Sequence, residues 1–581
     1  MSLALAIRNW WDRSLSRARQ VVPRHEDNFF LLLAVLIGVL SGLAVVCFRR
    51  AIDLAHYWCF GAAGHTGHLR MLLAPTVAGL ILAGLLLLLF PLARGSGVNQ
   101  TKSAVFIYDG YISFRTVIGK FLTCALSIGS GQSLGPEDPS LQMGAGIASV
   151  LGRKIKFSRE KLRLITPVGA AAGLAAAFNT PITAVILVIE EIIGTWSSGI
   201  LGAVILAAAA SVVVMRLFLG AAPMFHIPDY KMVHPAELLG YAVLGVVGGV
   251  ASLLFSKLLG SLRGRMRSLP KWTQYLQPAV AGLVIGAIAL RFPQIMGTGY
   301  ADLDQAMSGH FVWHILLILA LLKILATSLS FSSGAPGGMF GPALFVGGML
   351  GAAVGTLQAH FFPAYTGPLG AYALVGMGTL FAGFLRLPMT SVFIVLEISG
   401  NYSIIIPVMV SNTIAYLICR RFQRVPIFEV LTKQDGLHLP SPEEEREARI
   451  LRVEDAMRPA RGPALRAEDT VRESLVRDAP AADISGNLLL ISWENGRWTC
   501  VPRAELQVAL RQGRGEELLR FVAPGARLPR LHPDQSLDLA LRLLRDSEFL
   551  PVVHRADPRR LLGVVSLQDI LTAYRRTPAA D

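Results

Sequence analysis

The chain is 581 residues long, 53% of them apolar and only 16% charged, and its net charge is +15. A soluble protein of this size needs more polar side chains to cover its surface, so the composition excludes that class and points to the bilayer. The positive charges are scattered along apolar flanks and through the last third of the chain without an interleaved aromatic run, so nucleic acid is not an expected partner.

Residues 1–26 begin apolar and then carry Arg8, Trp10, Trp11, Arg13, Arg17 and Arg19 with no small-residue cleavage pattern. This predicts an amphipathic cytoplasmic segment at the membrane surface, not a signal peptide. Phe29 to Phe48 and Met71 to Ala93 contain no charged residue, and each is long enough to cross a bilayer core of about 30 Å as a helix. From 27 to 431 apolar segments follow one another, many interrupted by Gly or Pro near their middles. Backbone freed from helical bonding at membrane depth is tolerated only where protein buries it or where it lines a pathway. The five cysteines, Cys47, Cys59, Cys124, Cys419 and Cys500, have neither CxxC nor His-pair spacing, so no disulfide framework or zinc site is expected.

The segment from Leu126 to Gly152 aligns without gaps on Leu329 to Gly355. Ser127 meets Ser330, Gly131 meets Gly334, Gly135 meets Gly338, Pro139 meets Pro342 and Gly144 meets Gly347. Further on, Gly169 matches Gly376, Pro181 matches Pro388, Thr183 matches Thr390 and Glu190 matches Glu397. Two halves of one unit follow, about 27–220 and 237–431. Gly- and Pro-broken apolar segments at corresponding points of two repeats point to a transporter's midplane site. The simpler reading, that small residues only let helices pack closely, leaves the repeat itself unexplained.

Four segments carry chemistry. Gly95-Ser96-Gly97 follows a long apolar span and by itself is a weak signal. Gly135-Pro136-Glu137-Asp138-Pro139 puts two carboxylates in a Gly-rich break, where ionisable groups are costly unless used. Gly337-Gly338-Met339-Phe340-Gly341-Pro342 is the repeat partner of that break, and its glycines can expose backbone amides at a helix start, where an anion is held without a full counter-charge. Glu190-Glu191 closes an apolar helix. Glu190 recurs as Glu397 and so reads as architecture, whereas Glu191 faces Ile398 and is the candidate for a specialised role. After 431 a linker over 432–450 leads to a soluble α/β module over 451–577 that repeats roughly twice, with strand-like runs such as Leu550 to Val553 and Leu562 to Val565.

The order of GSG, a Gly-x-Glu-x-Pro break, AAGLAAAFNTP, an IEE helix end, GGMFGP and GNYS resembles the CLC family of chloride channels and transporters. That resemblance implies an all-α polytopic membrane domain of two inverted repeats of broken helices, followed by a C-terminal α/β CBS pair. It also implies a homodimer with one pathway per subunit and chloride and protons as the transported species; the sequence carries no catalytic triad, phosphate-cradling Gly-rich loop ending in Lys-Ser or Lys-Thr, or HExxH motif, so an enzyme is not expected. By position, Ser96, Gly338, Met339, Phe340 and Phe428 are implied in chloride binding. Glu137 is implied as the gate, taking part in proton transfer with Glu191, the internal proton-transfer residue that antiporters keep. The expected location is the inner membrane, with the N-terminus and the CBS pair cytoplasmic. Ser566 and Asp569, in the GVVSLQDI motif, match positions where nucleotide-binding CBS pairs hold ribose. No cofactor is otherwise implied, and a purely structural CBS module is the competing expectation.

Four positions depart from the family pattern. Pro136 and Asp138 replace the usual Arg and Gly beside the gate, Asn99 stands where the GSG motif continues to Pro, and Phe428 stands where a tyrosine is usual. Asp138 next to Glu137 is expected to make the gate easier to protonate by like-charge repulsion, giving gating at less acidic pH. Ser96 favours chloride over nitrate or fluoride. Two competing functions are a gated passive chloride channel, which needs Glu137 alone, and a divalent-cation carrier, which would need more acids along the pathway.

Overall fold

A computed structural model of the chain describes residues 26–61, 67–194, 198–221, 224–225, 230–437, 439, 451–460, 464–476, 488–522, 526–544 and 547–576. The expected N-terminal amphipathic segment and most of the linker lie outside the described residues. Two compact units divide at Leu439 and Pro440. The helix Ile427–Gln434 runs through the expected start of the linker.

The first unit is a multi-pass membrane domain. Eight described helices are long and apolar enough to cross a bilayer, from the long span near the N-terminus to the run Tyr402–Gln434. The breaks fall where the glycines put them. The helix Phe114–Gly129 stops before Gly131, whose φ of 96° is a left-handed conformation that glycine adopts at no steric cost, and the chain restarts as the helix Glu137–Ile155. The second half repeats the device: the helix Trp313–Ser332 stops before Gly334 at φ 87°, and the helix Phe340–Phe361 follows.

At the two breaks the halves meet each other. Gly135 N donates to Gly338 O at 2.9 Å, and Gly338 N donates to Gly135 O at 2.8 Å, an antiparallel bridge between repeat-related residues. A residue can pair with its own equivalent in this reciprocal way only about a two-fold axis, so the halves are inverted with respect to one another. Close packing is real too. A Cβ placed on Gly144 would collide with the Gly169 carbonyl, and one on Gly347 with the Gly376 carbonyl, so at these four positions the small residue serves helix contact.

The second unit has two sheets. Strands β1 (Arg458–Pro459), β6 (Phe549–Val553) and β7 (Leu561–Ser566) form one, in the order β1-β7-β6. Strands β2 (Leu465–Arg466), β3 (Leu488–Ser492), β4 (Trp498–Pro502) and β5 (Ala526–Leu528) form the other. Each half lends a strand to its neighbour: β1 precedes the first half and pairs with β7, while β5 opens the second half and pairs with β4. The halves share a core of Leu490, Trp498, Leu528, Phe549, Val553 and Val564.

Candidate anion and proton pathway

The helix Gly97–Phe106 begins immediately after Ser96, and the helices Glu137–Ile155 and Phe340–Phe361 begin at the two breaks. Three helix N-termini, each with first-turn amides that have no intrahelical acceptor and a partial positive charge, therefore lie among buried residues. Glu137 is fully buried. Its carboxylate accepts the Gly341 amide at 3.2 Å and the hydroxyl of Tyr300. The neighbouring amides of Met339 and Phe340, also buried, find no acceptor among the described residues. Gly338 differs from expectation. Its amide is spent on Gly135, so this glycine lets two backbones approach and offers no donor to an ion.

The expected repulsion between Glu137 and Asp138 does not have the geometry it requires. Asp138 turns away from Glu137 and accepts the Val98 amide at 2.7 Å and the Ser96 hydroxyl at 3.1 Å through Oδ2. Successive helical residues project about 100° apart, so adjacent carboxylates at a helix start can serve two different helices. Pro136 immediately precedes the helix as its N-cap residue.

Asn99 and Phe428, two departures far apart in sequence, touch. Asn99 Nδ2 donates to the Phe428 carbonyl at 2.9 Å. The Phe428 ring stands edge-on to Phe340, with centroids 6.1 Å apart, and Phe340 also meets Phe178 and Phe381. The Phe428 ring therefore lines an apolar wall where the expected tyrosine would present a hydroxyl.

Further along the helix Gly97–Phe106, Lys102 Nζ lies 3.1 Å from Glu191 Oε1, both side chains about a tenth exposed. Glu191 sits in the wide π-turn Val188–Ile193 that closes its helix. Glu190, one residue earlier, turns instead to the helix Pro388–Ser399, accepting from Thr390 N at 2.8 Å and Thr390 Oγ1 at 2.7 Å.

Two cavities approach this group. One of about 440 Å³ is lined by Arg49, Asp53, Pro136, Asn179, Thr298 and Tyr300, and reaches the Glu137 side. The other, about 780 Å³, is bordered by Arg94, Gly95, Gln142, Arg263, Arg267 and Lys271, and reaches the residue before Ser96. Asp435 also lines it and pairs with Arg263 and Arg267, which leaves a net excess of positive charge from Arg94 and Lys271.

Tyr300, Lys102 and Lys120 are absent from the sequence-based assignment. Lys120 is fully buried and donates to the carbonyls of Ala93 and Gly95, at 3.1 and 2.6 Å. Lys323, at the same repeat offset as the glycines, donates likewise to Ile295 and Gly297, at 2.9 and 2.7 Å. Gly297-Thr298-Gly299 is thus the second-half counterpart of Gly95-Ser96-Gly97, and Tyr300 follows it.

The voltage gated chloride channel family matches residues 78–420. The chain belongs to this family. A CBS domain matches residues 526–576. The chain is 32% identical over 399 residues to the putative chloride channel protein ClcB-like of Ralstonia nicotianae, covering 67% of this chain and 92% of that protein. It is 30% identical over 440 residues to the H(+)/Cl(-) exchange transporter ClcA of Salmonella arizonae, covering 72% and 92%. Among solved structures, a slow cyanobacterial Cl-/H+ antiporter aligns at a TM-score of 0.64 and 25% identity over 70% of this chain and 97% of its own. A eukaryotic CLC transporter, 21% identical, shares the fold at a TM-score of 0.61 over 93% of this chain and 97% of its own. The first unit therefore has the fold of a CLC membrane domain.

In the second unit, Ser566 N donates to Asp569 Oδ2 at 2.9 Å, and Asp569 N donates to Ser566 Oγ at 3.3 Å. This is a capping box at the start of the helix Leu567–Arg576. Arg458 Nε, from β1, adds a bond to the same Asp569 oxygen at 3.0 Å. Both residues are employed in joining the swapped strand to the final helix.

Proposed function

We propose that this protein exchanges chloride for protons across the inner membrane, with its N-terminus and CBS pair in the cytoplasm. The observation that carries the reading is the Glu137 carboxylate seated on the Gly341 amide, beside the buried Met339 and Phe340, whose amides meet no acceptor among the described residues. A carboxylate held at a helix N-terminus occupies ground that a chloride ion can take, so anion and gate compete. On protonation the carboxyl group loses its charge and its hold on the amide, and chloride passes; each cycle therefore moves a proton with the gate. Glu191, buried and paired with Lys102, supplies a second titratable stop on the other side of Ser96, which a passive channel would not need. The exchange transporter of Salmonella arizonae and the antiporter structure at 25% identity favour exchange over conduction, whereas the Ralstonia nicotianae relative bears a channel name.

The resemblance also implies a homodimer with a pathway in each subunit, which cysteine cross-linking in native membranes would test. For the CBS pair, the capping box favours a structural role for Ser566 and Asp569; a titration of the purified protein with adenine nucleotide decides against that role if saturable binding is lost on Ser566→Ala.

The test of exchange is simultaneous chloride and proton flux from proteoliposomes carrying Glu137→Gln. Retained chloride flux with proton flux abolished is expected. Proton flux persisting in this variant would remove Glu137 from the proton path.

A further inference from the structure

The Asp138 carboxylate lies where the Ser96 site would hold its anion. It is fully buried, takes the Ser96 hydroxyl and accepts the amide of Val98 at the start of a ten-residue helix. Those are the donors that a small anion would need at this helix N-terminus. The fixed cation nearby is Lys120, hung on the Ala93 and Gly95 carbonyls and acting electrostatically on Asp138. The second half makes the same point by contrast. The residue repeat-related to Asp138 is Gly341, which has no side chain and uses its amide to hold Glu137.

We propose that Asp138 is a second tethered anion, a built-in competitor that occupies the Ser96 end of the pathway and must be displaced before chloride binds there. The proposal rests on chloride being the transported ion. It gives Ser96 a double role, holding the aspartate at rest and chloride in transit. It also assigns the two successive carboxylates of the break to two different anion positions, Glu137 at the helix Phe340–Phe361 and Asp138 at the helix Gly97–Phe106.

A competitor that fills a site most of the time weakens apparent affinity by the fraction of time the site is free. Removing it therefore strengthens chloride binding. The experiment is isothermal titration of the purified full-length protein with chloride, for the wild type, Asp138→Ala and Asp138→Asn, alongside chloride flux in liposomes. Asp138→Ala is expected to bind chloride at least about tenfold more tightly, because carboxylate bulk and charge both leave. Asp138→Asn, which keeps one acceptor for Val98 but no charge, is expected to fall between the two. If Asp138→Ala does not fold, an unchanged affinity in folded Asp138→Asn overturns the proposal. Unchanged affinity in folded Asp138→Ala, with loss of thermal stability only, would make Asp138 a structural cap and overturn it likewise. Wild-type flux separates the two claims: flux without a change in affinity sinks this inference alone, whereas absence of chloride flux in wild type and variants sinks the transport reading on which it rests.

Discussion

Glu190 and Glu397 cap each other's helices. Glu190, near the end of the helix that starts at Pro181, accepts from Met389 N, Thr390 N and Thr390 Oγ1 at the start of Pro388–Ser399. Glu397, near the end of that second helix, accepts from Ile182 N, Thr183 N and Thr183 Oγ1 at the start of the first. Two antiparallel helices are thereby locked at both ends by the same three bonds. Each acid also sits at a helix N-terminus, where the backbone dipole favours negative charge.

The two caps make matching sets of bonds. Glu190→Gln and Glu397→Gln should each cost about 1.5–3 kcal/mol, the range for hydrogen bonds to a charged group. Thermal unfolding in detergent should fall by similar amounts in both, with proton coupling intact. A loss of coupling in Glu190→Gln at unchanged stability would contradict the architectural assignment.

Lys102 and Glu191 behave as a buried pair. Removing one member leaves the other charged and unpaired, a loss of about 3–5 kcal/mol, whereas removing both with residues of similar size is close to neutral. Lys102→Met is therefore predicted to be the less stable protein, and Lys102→Met with Glu191→Gln to recover stability but not proton flux. Equal melting temperatures for single and double variants would argue that the two side chains do not interact.

Tyr300→Phe removes the hydroxyl that holds Glu137 down. A hydrogen bond to a charged acceptor is worth about 1.5–3 kcal/mol, and 1.4 kcal/mol is tenfold. Chloride flux at neutral pH is expected to rise by about tenfold or more in liposomes. No change would mean that the hydroxyl does not set the resting position of the gate.

Asn99→Ala should act through the apolar wall that Phe428 lines. It removes the bond to the Phe428 carbonyl, a neutral contact worth about 0.5–1.5 kcal/mol. The expected result is a modest fall in stability together with a lower ratio of protons to chloride, as Phe428 loosens. A ratio unchanged from wild type would show that Phe428 is held by its ring contacts.

The fold was largely legible in the sequence because glycine marks breaks and the repeat marks their correspondence. The matched glycines at 135 and 338 became the inter-half bridge, and the matched acids at 190 and 397 became the reciprocal caps. Less of the site was legible. Adjacency suggested that Glu137 and Asp138 repel, yet the helical turn sends one to Tyr300 and Gly341 and the other to Ser96 and Val98. Thr298 in place of serine hides the match of Gly297-Thr298-Gly299 to Gly95-Ser96-Gly97, and with it Tyr300, although the offset relating the lysines at 120 and 323 carries across the two Gly-x-Gly turns to within one residue. Lys102 gave no signal, since a lysine inside a polar stretch is ordinary until a partner such as Glu191 is seen beside it.

The most direct measurement is proton movement into or out of sealed proteoliposomes driven solely by a chloride gradient, with Glu191→Gln as the control. The account predicts uphill proton flux in the wild type that disappears in the variant. Rapid chloride flux with no proton movement in the wild type would contradict it and make this protein a passive chloride channel.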